Sequence, residues 1–326
     1  MFRRVTLCLI ALGLLVVAGC SSDSNSDETS PSGAASGSYP VTVDTKFGPV
    51  TIEEPPTRVV ALGWGDAETA LALGVQPVGA SDWLDFGGDG VGPWAAGLYD
   101  TAPEIIATRE PSFEQILALE PDLILDTKSS GDQKRYDTLK EIAPTVALPA
   151  GADNYKTTLE QQVTLVSQAL GVPEKGNELV AQLDTRFAEV AAQHPDFKGK
   201  TVTVAARSGN GWGAYAPDTK RVAFMRKLGF VANPAIDPAD AEGFSIPVAE
   251  ENLQLLDADM LVVFPIGRTA AEVEAEPLFK AIPAVAAGRY LVFDDTTISR
   301  AYSTNSVLSV QYALDTVPPL VAERVQ

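Results

Sequence analysis

Two stretches of this chain carry the same pattern. Residues Glu114 to Leu125 (EQILALEPDLIL) can be laid on Glu251 to Val262 (ENLQLLDADMLV). In each, a glutamate opens a short helix, an acidic residue follows eight positions later, and an apolar strand comes next. Leu148-Pro149 and Leu291-Val292-Phe293 each end the following strand region. A chain that repeats one helix–strand unit in this way is expected to build two similar folding units rather than one continuous core.

The surrounding residues fit that expectation. Val41-Thr42-Val43 and Val50-Thr51-Ile52, separated by Lys46-Phe47-Gly48-Pro49, read as a hairpin. Arg58 to Leu62 is a buried-strand candidate that runs into Gly63-Trp64-Gly65. There Asp66 can cap a helix ending at Leu73-Gly74, and Gln76 to Ala80 starts the next strand. Strand, turn, helix, strand is the grammar of a parallel α/β sheet. Lys200 to Ala206 restarts it, with Arg207 to Gly213 as the turn. Between the halves lie two helical stripes. Leu159, Val163, Val166 and Leu170 form the first, ended by Gly171-Val172-Pro173, and Leu179, Leu183, Phe187 and Val190 form the second, ended by His194-Pro195. A helix from Glu174 to Gln193 would reach ~30 Å, about one domain diameter. The fold class predicted is α/β: two Rossmann-like lobes with parallel-sheet cores, residues 41–173 and 196–326, joined by one long bridging helix over 174–195.

The N-terminus sets the compartment. Arg3 and Arg4 precede an apolar run from Val5 to Ala18, which closes on Leu15-Val16-Val17-Ala18-Gly19-Cys20. A run of about 14 residues is short for a membrane span and reads as a secretion signal, residues 1–19. Small residues leading directly into a cysteine resemble a bacterial lipobox, which implies cleavage before Cys20 and lipidation of its thiol. The other reading is a simple signal peptide with an incidental cysteine. Residues 21–38 hold no large apolar side chain and cannot offset the entropy of ordering, so residues 20–40 read as a lipidated cysteine and a disordered tether.

Charge and cysteine count exclude several functions. Removing residues 1–19, which carry two arginines and no carboxylate, moves the formal charge from -19 to -21. So acidic a chain argues against nucleic acid and anionic lipid as partners. With Cys8 lost and Cys20 lipidated, the body has neither a disulfide framework nor a thiolate metal site. The single histidine, His194, sits at a helix end in a capping position. One histidine and no thiol make a bare transition-metal site a poor reading, and no cofactor is expected. Catalysis fares no better: Gly63-Trp64-Gly65 lacks the third glycine of a dinucleotide fingerprint, Glu68 standing in its place. No G-x-S-x-G elbow and no histidine general base is present.

Taken in order, TRVVALGWGDAETALALGVQPVG (57–79), PSFEQILALEPDLIL (111–125), YDTLKEIAPTV (136–146), EENLQLLDADMLVV (250–263) and AIPAVAAGRYLVF (281–293) resemble the siderophore- and cobalamin-type substrate-binding proteins of ABC importers. The resemblance covers nearly all of residues 50–320 and is nearest to the iron-siderophore branch of Gram-positive bacteria. It implies two lobes bridged by a single helix, a ligand cleft between them and a small closing motion. The implied function is that of an extracytoplasmic lipoprotein, monomeric and held to the outer face of the plasma membrane by Cys20. It would capture a ferric siderophore and deliver it to an ABC permease dimer. The resemblance further implies that Glu114 and Glu251, one per lobe, meet arginines on the two permease subunits. A first-turn acid also gains some tenths of a kcal/mol from the helix dipole, roughly 0.3 to 1, which would explain either glutamate alone.

A metal wrapped in an organic chelator is gripped by its shell, which calls for aromatic faces and a few fixed polar groups at strand ends. Trp64 follows the first strand, Trp83 and Phe86 the second. Trp212 and Tyr215 follow the first strand of the second half, and Tyr302 lies after Phe293. Each can instead be a core or lobe-packing aromatic, the preferred reading for Trp94 and Phe224. Arg207 ends a buried strand and must meet either a local carboxylate or an acidic ligand, and Arg300 occupies the corresponding late loop. Haem is an alternative ligand, with Tyr215 or Tyr302 as axial donor. Cobalamin has no feature in its favour. A cell-wall-associated lipoprotein without a transport role is the remaining alternative.

Overall fold

A computed structural model describes residues 37–326 apart from residues 153, 238, 240–242 and 326. The leader, Cys20 and most of the tether lie outside the described residues. Among the described residues, no helix is long and apolar enough to cross a membrane.

The body opens with the expected hairpin, β1 (Val41–Thr45) against β2 (Gly48–Ile52). The first sheet is wholly parallel. It is built from β3 (Val59–Ala61), α1 (Asp66–Ala72), β4 (Gly79–Ser81), β5 (Glu104–Ile106), α2 (Phe113–Ala118), β6 (Leu123–Leu125), α3 (Gln133–Lys140) and β7 (Thr145–Val146), with strand order β5-β4-β3-β6-β7. Strands covered on both sides need no polar face, and VVA and LIL have none. Val59, Leu123 and Leu125 pack towards α4 (Leu159–Ala169), while Val60 and Ile124 pack towards Ile116 of α2 and Leu139 of α3.

The chain then runs along α5 (Pro173–Gln193) into the second sheet. Its stripe buries Leu183, Phe187 and Val190 in the core of the second half, where Leu159 and Val163 of α4 join it. The second sheet comprises β8 (Thr201–Ser208), β9 (Gly211–Tyr215), α6 (Lys220–Lys227), β10 (Val231–Ala232), β11 (Ser245–Val248), β12 (Met260–Pro265), α7 (Ala270–Ala275), α8 (Pro277–Lys280), α9 (Pro283–Ala286) and β13 (Tyr290–Val292). Two final helices follow, α10 (Thr296–Thr304) and α11 (Val307–Ala322). Strand order is β11-β9-β8-β12-β13, with β10 on the starting end of β8. β8, β10, β12 and β13 are parallel.

The repeat has a structural meaning. Asp122 accepts hydrogen bonds from the Thr57 amide (2.7 Å) and hydroxyl (2.8 Å) and from the Arg58 amide (2.9 Å). Asp259 accepts from the Thr201 amide (2.8 Å) and hydroxyl (2.9 Å). In both halves the acid ahead of the apolar strand ties that strand's start to the start of its neighbour.

Two local expectations need correction. Arg207 to Gly213 is not a turn into a helix: β8 continues to Ser208 and folds straight into β9, pairing Arg207 with Trp212 across a hairpin. Asp66 does not cap α1, since Gly65 holds the N-cap position with φ 81 and Asp66 is the first helical residue.

Candidate ligand-binding site

The first sheet reverses its winding between β3 and β6, because β4 and β5 build outward on one side of β3 and β7 on the other side of β6. Loops beyond the strand ends diverge at such a switch point and leave a crevice. Two loops meet there. The Leu62 amide donates to Leu125 O (2.8 Å) and the Trp64 amide to Lys128 O (2.9 Å), which stitches the turn after β3 to the loop after β6. Both glycines of Gly63-Trp64-Gly65 are required. A Cβ on Gly63 would run into the Asp66 carboxylate and the Lys128 amide nitrogen, and Gly65 adopts a left-handed φ. Asp66, fully buried, accepts from the Gly63 amide (3.1 Å), the Thr127 amide (2.9 Å), the Thr127 hydroxyl and Gln162 Nε2 (2.6 Å). Burial nevertheless pushes its carboxyl above the usual carboxylate range.

This framework presents Trp64 as the middle ring of a stack. Trp83 lies on one face at 4.0 Å and 8°, and Tyr155 also stacks on Trp64 at 4.0 Å and 22°. Opposite stand the β8–β9 hairpin and the first turn of α6. Together they enclose a cavity of about 550 Å³, floored by α5 residues such as Leu183 and Phe187. That volume is in the range of small-molecule sites. Lys220 bridges the two walls, its Nζ 5.5 Å from the Trp64 ring centre and 5.0 Å from that of Trp83. Arg221 lies over the Tyr215 ring at 4.6 Å.

Of the residues singled out from sequence, Trp64, Trp83, Trp212 and Tyr215 line this cavity. Phe86 does not: it meets Trp94 edge-on at 5.5 Å and carries the Arg300 guanidinium over its ring. Arg300 lies on α10, not in a loop, and reaches Asp85 O at 3.5 Å. Tyr302 is a core residue, 2% exposed. Its hydroxyl donates to Arg221 O and its ring packs among Phe224, Phe264 and Phe293. Asp295 caps the helix that turns it inward. Arg207 has met a carboxylate: its Nε donates to both oxygens of Glu276, at 2.8 and 3.1 Å, and Trp212 Nε1 donates to the same group at 3.3 Å. Trp94, on a short 3₁₀ turn, donates to Glu68 (2.8 Å), and Phe224 is buried in the core. His194 caps the end of α5 and stacks on Phe197.

The sequence reading missed Tyr155, Lys128, Lys220 and Arg221. Lysine and arginine at the first two positions of a helix run against the dipole, and that irregularity at Lys220-Arg221 was available in the sequence. Lys128 lies three positions beyond the apolar strand Leu123–Leu125, an ordinary loop position for a lysine that gave no signal. Tyr155 gave none either. Among the described residues, no group of three or more histidine, cysteine or acidic side chains is arranged to hold a metal ion.

A family model described as periplasmic binding protein matches residues 59–297. The probable siderophore-binding lipoprotein YfiY of Bacillus subtilis is 29% identical over 95% of each chain. A periplasmic solute binding protein from Mycobacterium smegmatis superposes with a TM-score of 0.77 at 29% identity, over 88% of this chain and 99% of that one. PiaA of Streptococcus pneumoniae in complex with ferrichrome gives 0.74 at 25% identity, over 87% and 98%.

Proposed function

The chain belongs to the periplasmic binding protein family, and from that premise we propose that it captures a ferric siderophore outside the cytoplasm and delivers it to an ABC permease for iron uptake. The observation that carries this reading is the cavity between the two sheets, walled by Trp64, Trp83, Trp212 and Tyr215 and edged by Lys220 and Arg221. Such a lining suits the shell of a chelate, where aromatic faces and cationic donors meet organic rings and oxygen atoms. The names of YfiY and of the ferrichrome-bound PiaA support the same choice.

The rest of the reading follows from it. Cys20 carries the lipid that holds the protein to the outer face of the plasma membrane, with residues 20–40 as tether. Residues 41–173 and 196–326 act as lobes about the strut 174–195. The protein works as a monomer, binds without turning its ligand over, and needs neither a resident cofactor nor a bare metal. Glu114 and Glu251 dock the two lobes on a permease dimer. Both are exposed, each at the second position of its short helix, which supports a shared outward role. For the haem alternative, Tyr302 drops out as axial donor because its hydroxyl is buried against Arg221 O, which leaves Tyr215 in the cavity lining.

The test is a fluorescence titration against ferric hydroxamates, ferric catecholates, ferric citrate, haem and cobalamin. A ferric chelate should quench with sub-micromolar affinity, ~8 kcal/mol or more. Tight binding of haem or cobalamin alone would replace this reading, and binding of none of the panel would end it.

A further inference from the structure

The cavity's charges do not balance. The carboxylates that line it are taken: Lys227 holds Glu160 (2.6 Å) and Asp184 (3.0 Å), and Lys156 lies 3.6 Å from Asp218. Lys220 and Arg221 remain. Among the described residues, Lys220 reaches only the Thr304 carbonyl, at 3.5 Å, and two ring faces. Arg221 Nε is buried without an acceptor.

Three further features point the same way. Lys220 and Arg221 open α6, whose N-cap residue Thr219 donates its hydroxyl to Ala216 O and caps nothing. The positive end of that helix therefore adds to the two cations instead of being offset by an acid. Among the described residues, Trp64 Nε1 is also buried without a partner, so both unsatisfied polar atoms on the cavity lining are donors. Lys128, beneath the Trp64 turn, is 0% exposed and its Nζ has no acceptor, while its neighbour Asp126 is bound to Arg135 at 2.7 and 3.0 Å. It stands near enough to Lys220 to disfavour the charged form there. A buried donor or cation without a partner costs free energy that only an acceptor can return.

We infer that the cleft selects ferric chelates of net negative charge, with Lys220 and Arg221 as the anion-binding corner and Lys128 as a buried cation supporting it. The inference rests on the ferric-chelate reading and narrows it to one charge class. Two chemistries share that class, carboxylates and catecholates. Three hydroxamates neutralise ferric iron, so their chelates fall outside it. On a chain this acidic the corner also sets orientation, since its cations attract the charged edge of the chelate against the general repulsion.

The experiment compares ferric citrate, a ferric tris-catecholate and a neutral ferric tris-hydroxamate by titration calorimetry, on the wild type, Lys220→Gln and Lys128→Met. Loss of one charge-assisted contact should weaken each anionic chelate at least about tenfold in Lys220→Gln and leave the neutral chelate within about threefold. Lys128→Met should weaken the anions too while raising the melting temperature, because it removes an unpaired buried charge. That pairing separates a binding role from damage to the fold. Citrate bound without the catecholate, or the reverse, assigns the source of the oxyanions. A neutral chelate that binds as tightly as the anionic ones, unaffected by either substitution, overturns the inference and leaves the ferric-chelate reading standing. No chelate bound by the wild type refutes both.

Discussion

Lys220 Nζ stands 5.0 Å from the ring centre of Trp83, so a cation carried by the second half of the chain rests on the aromatic stack of the first. Ring faces stabilise a partly desolvated ammonium by about 0.5 to 2 kcal/mol, too little to match a carboxylate. Burial, with Lys128 and Arg221 beside it, holds Lys220 well below the usual lysine range. Burial likewise lowers Lys128 to about 8, against the opposing pull of Asp66 on α1 and Glu160 on α4.

Proton uptake on binding follows from those shifts. An anion favours the charged form of both lysines and raises their pKa values, so the complex holds more protons than the free protein. Affinity for an anionic chelate should therefore fall as pH rises through about 8. The calorimetric enthalpy at about pH 8.5 should vary with the ionisation enthalpy of the buffer, in the sense of uptake. A buffer-independent enthalpy with flat affinity between about pH 7 and about pH 9 would contradict it.

Arg207→Ala should act on stability rather than on the ligand. It leaves the Glu276 carboxylate without its main partner and costs about 3 kcal/mol in denaturant unfolding. Chelate affinity should move by less than about threefold, under ~0.7 kcal/mol. A large loss of affinity with unchanged stability would return Arg207 to the ligand.

Glu68 joins α1 to the start of α11. Its carboxylate accepts from the Ser306 hydroxyl, Trp94 Nε1 (2.8 Å) and the Gly92 amide (3.3 Å), while burial raises its pKa. The folded chain thus binds this proton more tightly than the unfolded one. The contribution to stability is fully present below the unfolded value near 4.5 and declines as pH rises through the raised folded value. Glu68→Gln, which cannot ionise, should lose this decline, so the stability difference between wild type and variant should shift with pH across that window. A constant difference would show that the carboxyl titrates alike in both states.

Glu114→Ala with Glu251→Ala should leave ligand affinity and melting temperature nearly unchanged while abolishing uptake of the iron chelate by cells. Each single variant should show a partial defect that excess ligand relieves little. Rim charges of this kind mainly set orientation and encounter rate. Normal uptake by the double variant, or lost ligand binding in either single variant, would refute the docking role.

What could be read from the sequence was local and periodic. The repeat was visible because Asp122 and Asp259 do the same work in the two halves, and the stripe on α5 because Leu183, Phe187 and Val190 face one core. The hairpin at Arg207 to Trp212 was hidden because its glycine-rich strand looks like a loop until β11 and β8 flank it. Tyr302 was misplaced because its loop is a helix capped at Asp295. The cationic corner depends on Lys128 and Lys220, which come from opposite halves and whose proximity no spacing rule encodes. Composition pointed the other way, since a chain of net charge -19 gives no hint of uncompensated cations in its cleft.

The central claim is that the cleft grips iron through its chelator, and equilibrium dialysis with radioactive iron tests it most directly. The described protein offers aromatic faces and cationic donors at the cleft and no cluster of metal-ligating side chains. Iron presented as an anionic ferric chelate should therefore be retained at one iron per chain, and retention should fall when Lys220 is replaced by Gln. Iron presented as a simple salt should pass through unbound. Retention of iron from the salt, or no retention from any chelate, would contradict the account.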